Sequence, residues 1–396
     1  MDALVARSVE LKRELLEFSR LSRFDRPFQE AMAAAGLGPV VTDEQRLTMV
    51  IDHFLLQFRL RNGRTVVEQF VAARSDLPDA EREMLLGWRD VIEGIFEVQR
   101  RDGATLVVEN LIDELTYRVR SNTGTAVFRQ MPRRSYVVTR LVPVGDEWLI
   151  SGATSVFPAR YRAELHRAAA EQAMRSPELG FRNPDKLARA WELQRADRDR
   201  FVRFFGSDLV VLRGEEVEDR MRAFREFCHR EITAELKGPV PAVTEFGVDS
   251  ELADAESVAL VYDEEDGLGY YVEFGLVEKA FTDPSLLRRR LYGERVLDYL
   301  DDDSVPPHVF RRLSARDAAR ASAVFRTLLR RPGFDWARDG EALLRERKKR
   351  HFARPPRPSM SVIAERLLPH LPLAPIFAQR FSPQVGGSPR VCQAYS

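Results

Sequence analysis

The sequence predicts an α+β protein in four parts: a helical N-terminal region over 1–90, a small antiparallel β-barrel-like module over 91–157, an α+β region over 158–344, and a basic, Pro-rich, partly disordered tail over 345–396. Three observations predict it. From about Ile95 to Gly152, β-branched and aromatic residues crowd between Asp102-Gly103, Asn122, Gly124 and Gly145-Asp146, which is the turn chemistry of short antiparallel strands. Before and after that stretch the apolar residues recur at helical spacing, so the period switches from 3.6 to two near Gly94 and back again. A second strand pair, VALVY and YYVEF within Ser257–Phe274, is joined across Glu264-Glu265-Asp266-Gly267.

In chain order, the first strong helix carries Leu47, Val50, Ile51, Phe54, Leu55 and Phe58 on one face. Thr42 with Gln45, and Thr65 with Glu68, have capping-box spacing. Pro78 suits the first turn of a helix running through Met84, Leu85 and Trp88. In the β-module, Tyr117 and Val119 face one side while Arg118 and Arg120 face the other. Five such strands close into a barrel of the SH3 or OB type or stay a curled sheet, and a partly closed barrel is the reading adopted. Helix returns with Tyr161, Leu165 and Ala169, and again after Asn183-Pro184, through Leu187, Trp191, Phe201, Phe204 and Phe205. Asp208–Arg213 is a buried-strand pattern, Gly214–Ile232 is helical, and further helices run from Asp283 to Leu329. Arg345–Ser359 is a basic helix end that Pro355, Pro356 and Pro358 stop in favour of polyproline II.

Composition narrows the class. A chain of 396 residues, 44% hydrophobic and 31% charged, is globular and long enough for two or three units. With 61 basic and 61 acidic residues the formal net charge is zero, so no global field draws it to nucleic acid or an acidic membrane, and any basic partner site is local. Apart from Lys12, Lys186, Lys237, Lys279, Lys348 and Lys349 the cations are arginine. A GC-rich genome accounts for that bias without any phosphate ligand. The cysteines, Cys228 and Cys392, exclude a disulfide scaffold and a four-cysteine zinc knuckle. The N-terminal MDALVARSVELKRELLEFSRL is an amphipathic helix without a secretory core or cleavage site, and no window is long and apolar enough to span a bilayer. The expectation is a cytoplasmic protein, neither secreted nor membrane-bound.

Three stretches carry a family resemblance: LLQFRLRNGRTVVEQFV (Leu55–Val71), GWRDVIEGIFEVQRRDG (Gly87–Gly103) and RLVPVGDEWLISG (Arg140–Gly152). They resemble a mostly uncharacterised family of bacterial and plant-plastid proteins, some of which carry a C-terminal SEC-C zinc-binding motif. The resemblance implies no catalytic residues. With two cysteines this chain has no SEC-C motif, so zinc binding does not carry over.

The chemistry-bearing residues read mainly as structure. Cys228-His229 pairs a thiol with an imidazole, yet Cys228 falls with Phe224 and Ile232 on an apolar helix face. His53 follows Asp52, but consecutive helix positions do not face each other. His166, His308 and His370 are isolated in sequence. Asp263-Glu264-Glu265-Asp266-Gly267 reads as a hairpin turn and Asp301-Asp302-Asp303 as a helix terminus, neither with the alternating ligands of a calcium loop. No phosphate cradle and no G-x-S-x-G elbow occurs. No metal site and no cofactor is therefore expected. The best interaction candidate is the basic segment, with Arg347, Lys348, Lys349, Arg350 and Arg354 as nucleic-acid-binding residues beside Phe352. The leading reading is a non-enzymatic binding or adaptor protein for RNA or a ribonucleoprotein. The alternatives are a hydrolase or transferase with a carboxylate-based site, and a scaffold that binds a protein partner through the Pro-rich tail.

Overall fold

The computed structural model of the chain describes residues 2–37, 43–235, 250–353 and 355–371. Contacts divide it into two units, the first made of residues 1–173 with 363–371 and the second taking residues 174–362.

The first unit opens with α1 (Asp2–Ser19), α2 (Asp25–Ala34), α3 (Glu44–Leu56), α4 (Val66–Ala73) and α5 (Asp79–Gly87). The Thr65–Glu68 capping box is present in both halves at α4. The cap of α3 is Asp43, whose carboxylate accepts from the amides of Gln45 and Arg46, rather than Thr42, which lies outside the described residues. A carboxylate at that position suits the positive end of the helix dipole better than a hydroxyl. Pro78 precedes α5 as its N-cap rather than entering its first turn.

Five strands follow: β1 (Ile92–Asp102), β2 (Thr105–Asn110), β3 (Thr116–Arg120), β4 (Tyr136–Val144) and β5 (Glu147–Phe157). They close in the order β1-β2-β3-β5-β4. The long β1 serves two neighbours, β4 through Ile92–Glu97 and β2 through Phe96–Asp102, and shifts register between Val98 and Arg100. Closure is a short parallel pairing, Val119 to Trp148 and Arg120 to Leu149. A 3-10 turn at Thr125–Gln130 lies between β3 and β4. The alternation in β3 puts Tyr117 and Val119 inside with Phe96, Val98, Leu106, Val108 and Leu141. Gly94 sits mid-strand because a Cβ there would lie 3.1 Å from the Asn110 side-chain amide. That amide belongs to a buried network in which Asn110 and the Tyr117 hydroxyl both donate to Asp113. The helices cover one side of the barrel, Leu11, Leu15, Phe54, Leu55, Phe70 and Trp88 sharing a core with Val142, Val144 and Leu149.

After α6 (Arg162–Arg175) the chain leaves this unit and returns at residues 363–371. There Leu367 is buried, and Arg366 donates to the Glu109 carboxylate at 2.7 Å and the Asn110 carbonyl at 3.2 Å. Part of the stretch read as tail is therefore built into the first unit.

The second unit contains α7 (Pro184–Phe205), β6 (Leu209–Leu212), α8 (Gly214–Glu235), α9 (Ser250–Ala253), β7 (Val258–Asp263), β8 (Gly267–Val272), α10 (Phe274–Thr282), α11 (Arg290–Asp301), α12 (Pro307–Arg316), α13 (Ala318–Leu329), α14 (Trp336–Arg347) and α15 (Lys349–Phe352). Asn183 caps α7, with Pro184 first in the helix. The strands form an antiparallel sheet in the order β6-β7-β8. Period two divides β7 between two cores. Val258, Leu260 and Tyr262 meet Phe201, Met221 and Phe224, while Ala259 and Val261 meet Phe274, Val277 and Phe310. β6, expected to be buried, is a half-buried edge with Val211 37% exposed, because among the described residues only β7 pairs with it. Among the described residues no helix is long and apolar enough to cross a membrane.

Candidate functional site: a charged floor beside the barrel

The first unit contains a pocket of about 290 Å³ lined by α1, Trp88, the loop after β3, and β4 and β5. Two of its lining residues, Lys12 and Ser151, belong to a charge network beneath the floor that also takes in Asp52 and Arg140. Lys12, between the buried Leu11 and Leu15 on α1, puts Nζ 2.5 Å from Asp52 Oδ1 and 3.1 Å from Ser151 Oγ. The Ser151 hydroxyl in turn donates to Asp52 Oδ1 at 2.6 Å. On the other carboxylate oxygen, Arg140 Nε lies 3.2 Å away, and its remaining nitrogens donate to the Met49 carbonyl and the Gln57 side chain. Asp52 and Arg140 are almost wholly buried. Burial pushes the Asp52 carboxyl up, but the charges of Lys12 and Arg140 outweigh it and hold the group below its ordinary range. Gly152 lets β5 pass close to α3. Its φ of +68° is a left-handed conformation that glycine takes without strain, and a Cβ there would already touch Asp52.

In the sequence Asp52 stands beside His53, and Ser151-Gly152 makes no nucleophile elbow, but nothing there joins either residue to Lys12 or Arg140. Lys12 and Asp52 interrupt apolar helix faces, and Arg140 interrupts an apolar strand. A lone charge at a core position signals burial with a partner. The partner itself is 40 residues away for Lys12 and 99 for Ser151. His53 is exposed on the next position of α3.

The basic segment is placed differently from its sequence reading. Lys348 was expected at the surface but is 1% exposed, donating to the Tyr299 carbonyl at 2.6 Å and to the Asp302 carbonyl. The reason is the end of α11, where unpaired carbonyls and the negative end of the dipole attract a cation. Burial lowers its pKa to about 8, against the carboxylates of Asp301, Asp302 and Asp303. Arg347 pairs with Asp301 at 2.7 Å and Arg350 with Asp303 at 3.1 Å, Lys349 is exposed, and Arg354 lies outside the described residues. Pro355 and Pro356 are exposed while Pro358 is buried. Replacing Lys348 with Ala is expected to cost about 2 kcal/mol in urea unfolding, since two carbonyls lose their donor. The same change at Lys349 is expected to cost less than about 0.5 kcal/mol. An amine-reactive label should mark Lys349 in the native protein and spare Lys348.

Elsewhere, Cys228 is buried against Phe224, and burial pushes its thiol up, away from nucleophile chemistry. His166 is not isolated. It sits under the Tyr136 hydroxyl and edge-on to the His370 ring, 5.1 Å between centroids. His308 also has partners: its Nδ1 is 2.9 Å from Asp266, and with Asp263 these ligand atoms lie within 4.8 Å of one another. Arg312 bridges Asp263 and Asp208 in the same cluster, and Arg198 adds a second cation on Asp208. Burial raises both carboxyls, and the cations and hairpin-turn amides outweigh it. Each acid thus has a protein partner, and the group ties the β7–β8 turn to α12.

Residues 14–202 match the model of a family of unknown function, DUF7986. The matched range takes in all three resembling stretches and, within the charged floor, Asp52, Arg140 and Ser151. It agrees with the resemblance to an uncharacterised family and brings no activity with it. No curated protein and no solved structure matches the chain.

Proposed function

We propose that this chain is a non-enzymatic binding protein whose first unit holds a ligand in the pocket beside the barrel. The observation that carries the reading is how the floor spends its polar groups. The hydroxyl that could attack a substrate, on Ser151, donates to Asp52 and accepts from Lys12. The group placed to take its proton is Asp52, a carboxylate made a weaker base by two cations. That arrangement suits recognition and not nucleophilic attack. A fluorophosphonate probe is accordingly expected to leave Ser151 unlabelled in peptide mapping of the native chain. Stoichiometric labelling at Ser151 would move the protein to the hydrolase reading.

A second reading keeps RNA or a ribonucleoprotein as the target of the basic segment. One observation favours it: Arg345 lies 4.7 Å and Arg311 6.0 Å from the Phe352 ring centroid, beside Arg350, whose side chain is 85% exposed. Replacing Arg347, Lys349 and Arg350 with Ala, and leaving the buried Lys348, is expected on this reading to weaken binding of single-stranded RNA. The slope of log affinity against log salt should fall by roughly one unit per lost phosphate contact. A gel-shift titration at low and high salt in which the parent chain does not retard RNA would end this reading.

A further inference from the structure

The pocket has a sign and a size. Among the described residues its lining includes Lys12 and no carboxylate, since Asp52 lies beneath the floor. Two donors there are uncommitted. An ammonium has three N–H groups, and that of Lys12 spends one on Asp52 and one on Ser151. Trp88 is 2% exposed, its indole N–H has no partner among the described residues, and indole nitrogen can only donate. The two are neighbours, with Lys12 Nζ over the face of the Trp88 ring, 5.4 Å from its centroid. The nearby hydroxyl donors are spent, Ser8 on the Val5 carbonyl and Ser151 on Asp52. The rest of the lining has an apolar side, Val127, Met131, Val142, Leu149 and Ile150, and a polar side, Ser121, Asn122, Thr123 and Thr154.

Resting on the ligand-site reading above, we infer that this pocket takes a small, otherwise apolar monocarboxylic acid. Its carboxylate lies between the Lys12 ammonium and the Trp88 indole N–H, and its hydrocarbon lies against Val127 and Met131. The Lys12 and Trp88 donors match the two oxygens of a carboxylate, and the single positive charge of Lys12 falls short of the charge of a phosphate. A buried donor without an acceptor is the kind of group a ligand satisfies. The volume of about 290 Å³ sets the scale at a short-chain or single-ring acid.

The test is calorimetric titration of the full chain with octanoate and benzoate, with the neutral 1-octanol and benzamide, and with inorganic phosphate. One-to-one binding of at least one carboxylate is expected, about tenfold or more tighter than its neutral counterpart, with no heat from phosphate. Trp88→Phe keeps a ring and leaves the charged floor in place, and it should weaken the carboxylate several-fold. Val127→Phe fills the pocket without touching the floor and should abolish binding. Lys12→Met should remove the preference for the charged ligand. Equal binding of acid and neutral analogue, or tighter binding of phosphate, would overturn this inference and leave the ligand-site reading standing. Carboxylate binding unchanged in both Trp88→Phe and Val127→Phe places the site elsewhere and also overturns it. If none of the five compounds binds, the inference and the ligand-site reading fail together.

Discussion

Replacing Asp52 with Ala is expected to destabilise the protein by about 3–5 kcal/mol, the cost of breaking a buried ion pair by removing one partner. Arg140 would be left 1% exposed with no carboxylate on the Asp52 side, and Lys12 would lose its 2.5 Å contact. Ser151 would lose its acceptor as well. Ser151→Ala removes two hydrogen bonds, one to Asp52 and one from Lys12, and keeps the charges balanced, so about 1–2 kcal/mol is expected there. Urea unfolding of the two variants at neutral pH separates these effects, and equal midpoints would mean that the carboxylate is not what holds the two cations. The same group sets an acid limit. Its folded-state pKa lies below the unfolded one, so its stabilisation is present above the ordinary carboxylate range and is lost as pH falls through the folded value.

A second large effect is expected between pH 7 and pH 5, above the range where most carboxylates titrate. Burial pushes His166 down to about 4, and the neighbouring charges of Arg162, His370 and Arg366 act in the same direction. An unfolded histidine titrates near 6.5, so over this window the unfolded chain binds more protons than the folded one. Stability therefore falls with acidification, by about 2 kcal/mol at pH 5 relative to pH 7 from this residue alone. His166→Phe keeps a ring beneath Tyr136 and removes the titrating group, so its urea midpoints at the two pH values should lie closer together than those of the parent. An unchanged gap would assign the pH dependence to other groups. The loss should first appear at residues 363–371, because His370 and Arg366 face His166 from that segment. Hydrogen exchange at Leu367 is the direct readout.

What the sequence by itself determined are the features decided within a few residues. The Thr65–Glu68 box, the Asn183-Pro184 start, the β7–β8 turn and the in-out alternation of Tyr117 and Val119 each depend on chain neighbours. Local dihedral preference and side-chain reach are sufficient for them. Lys348 and Lys349 mark where that ends. They are adjacent and chemically identical, yet one is interior and the other exposed, because the carbonyls that accept from Lys348 come from Tyr299 and Asp302, on and just after α11. Barrel closure likewise rests on two residue pairs between β3 and β5, and nothing local to either strand specifies the other. The charged floor is the fullest case. Its side chains, from Lys12 to Ser151, at most signal burial where they stand in the sequence, and nothing local to them names their partners. Tertiary structure alone decided their role, because a charge is admitted to the core only where the fold delivers an opposite charge to meet it.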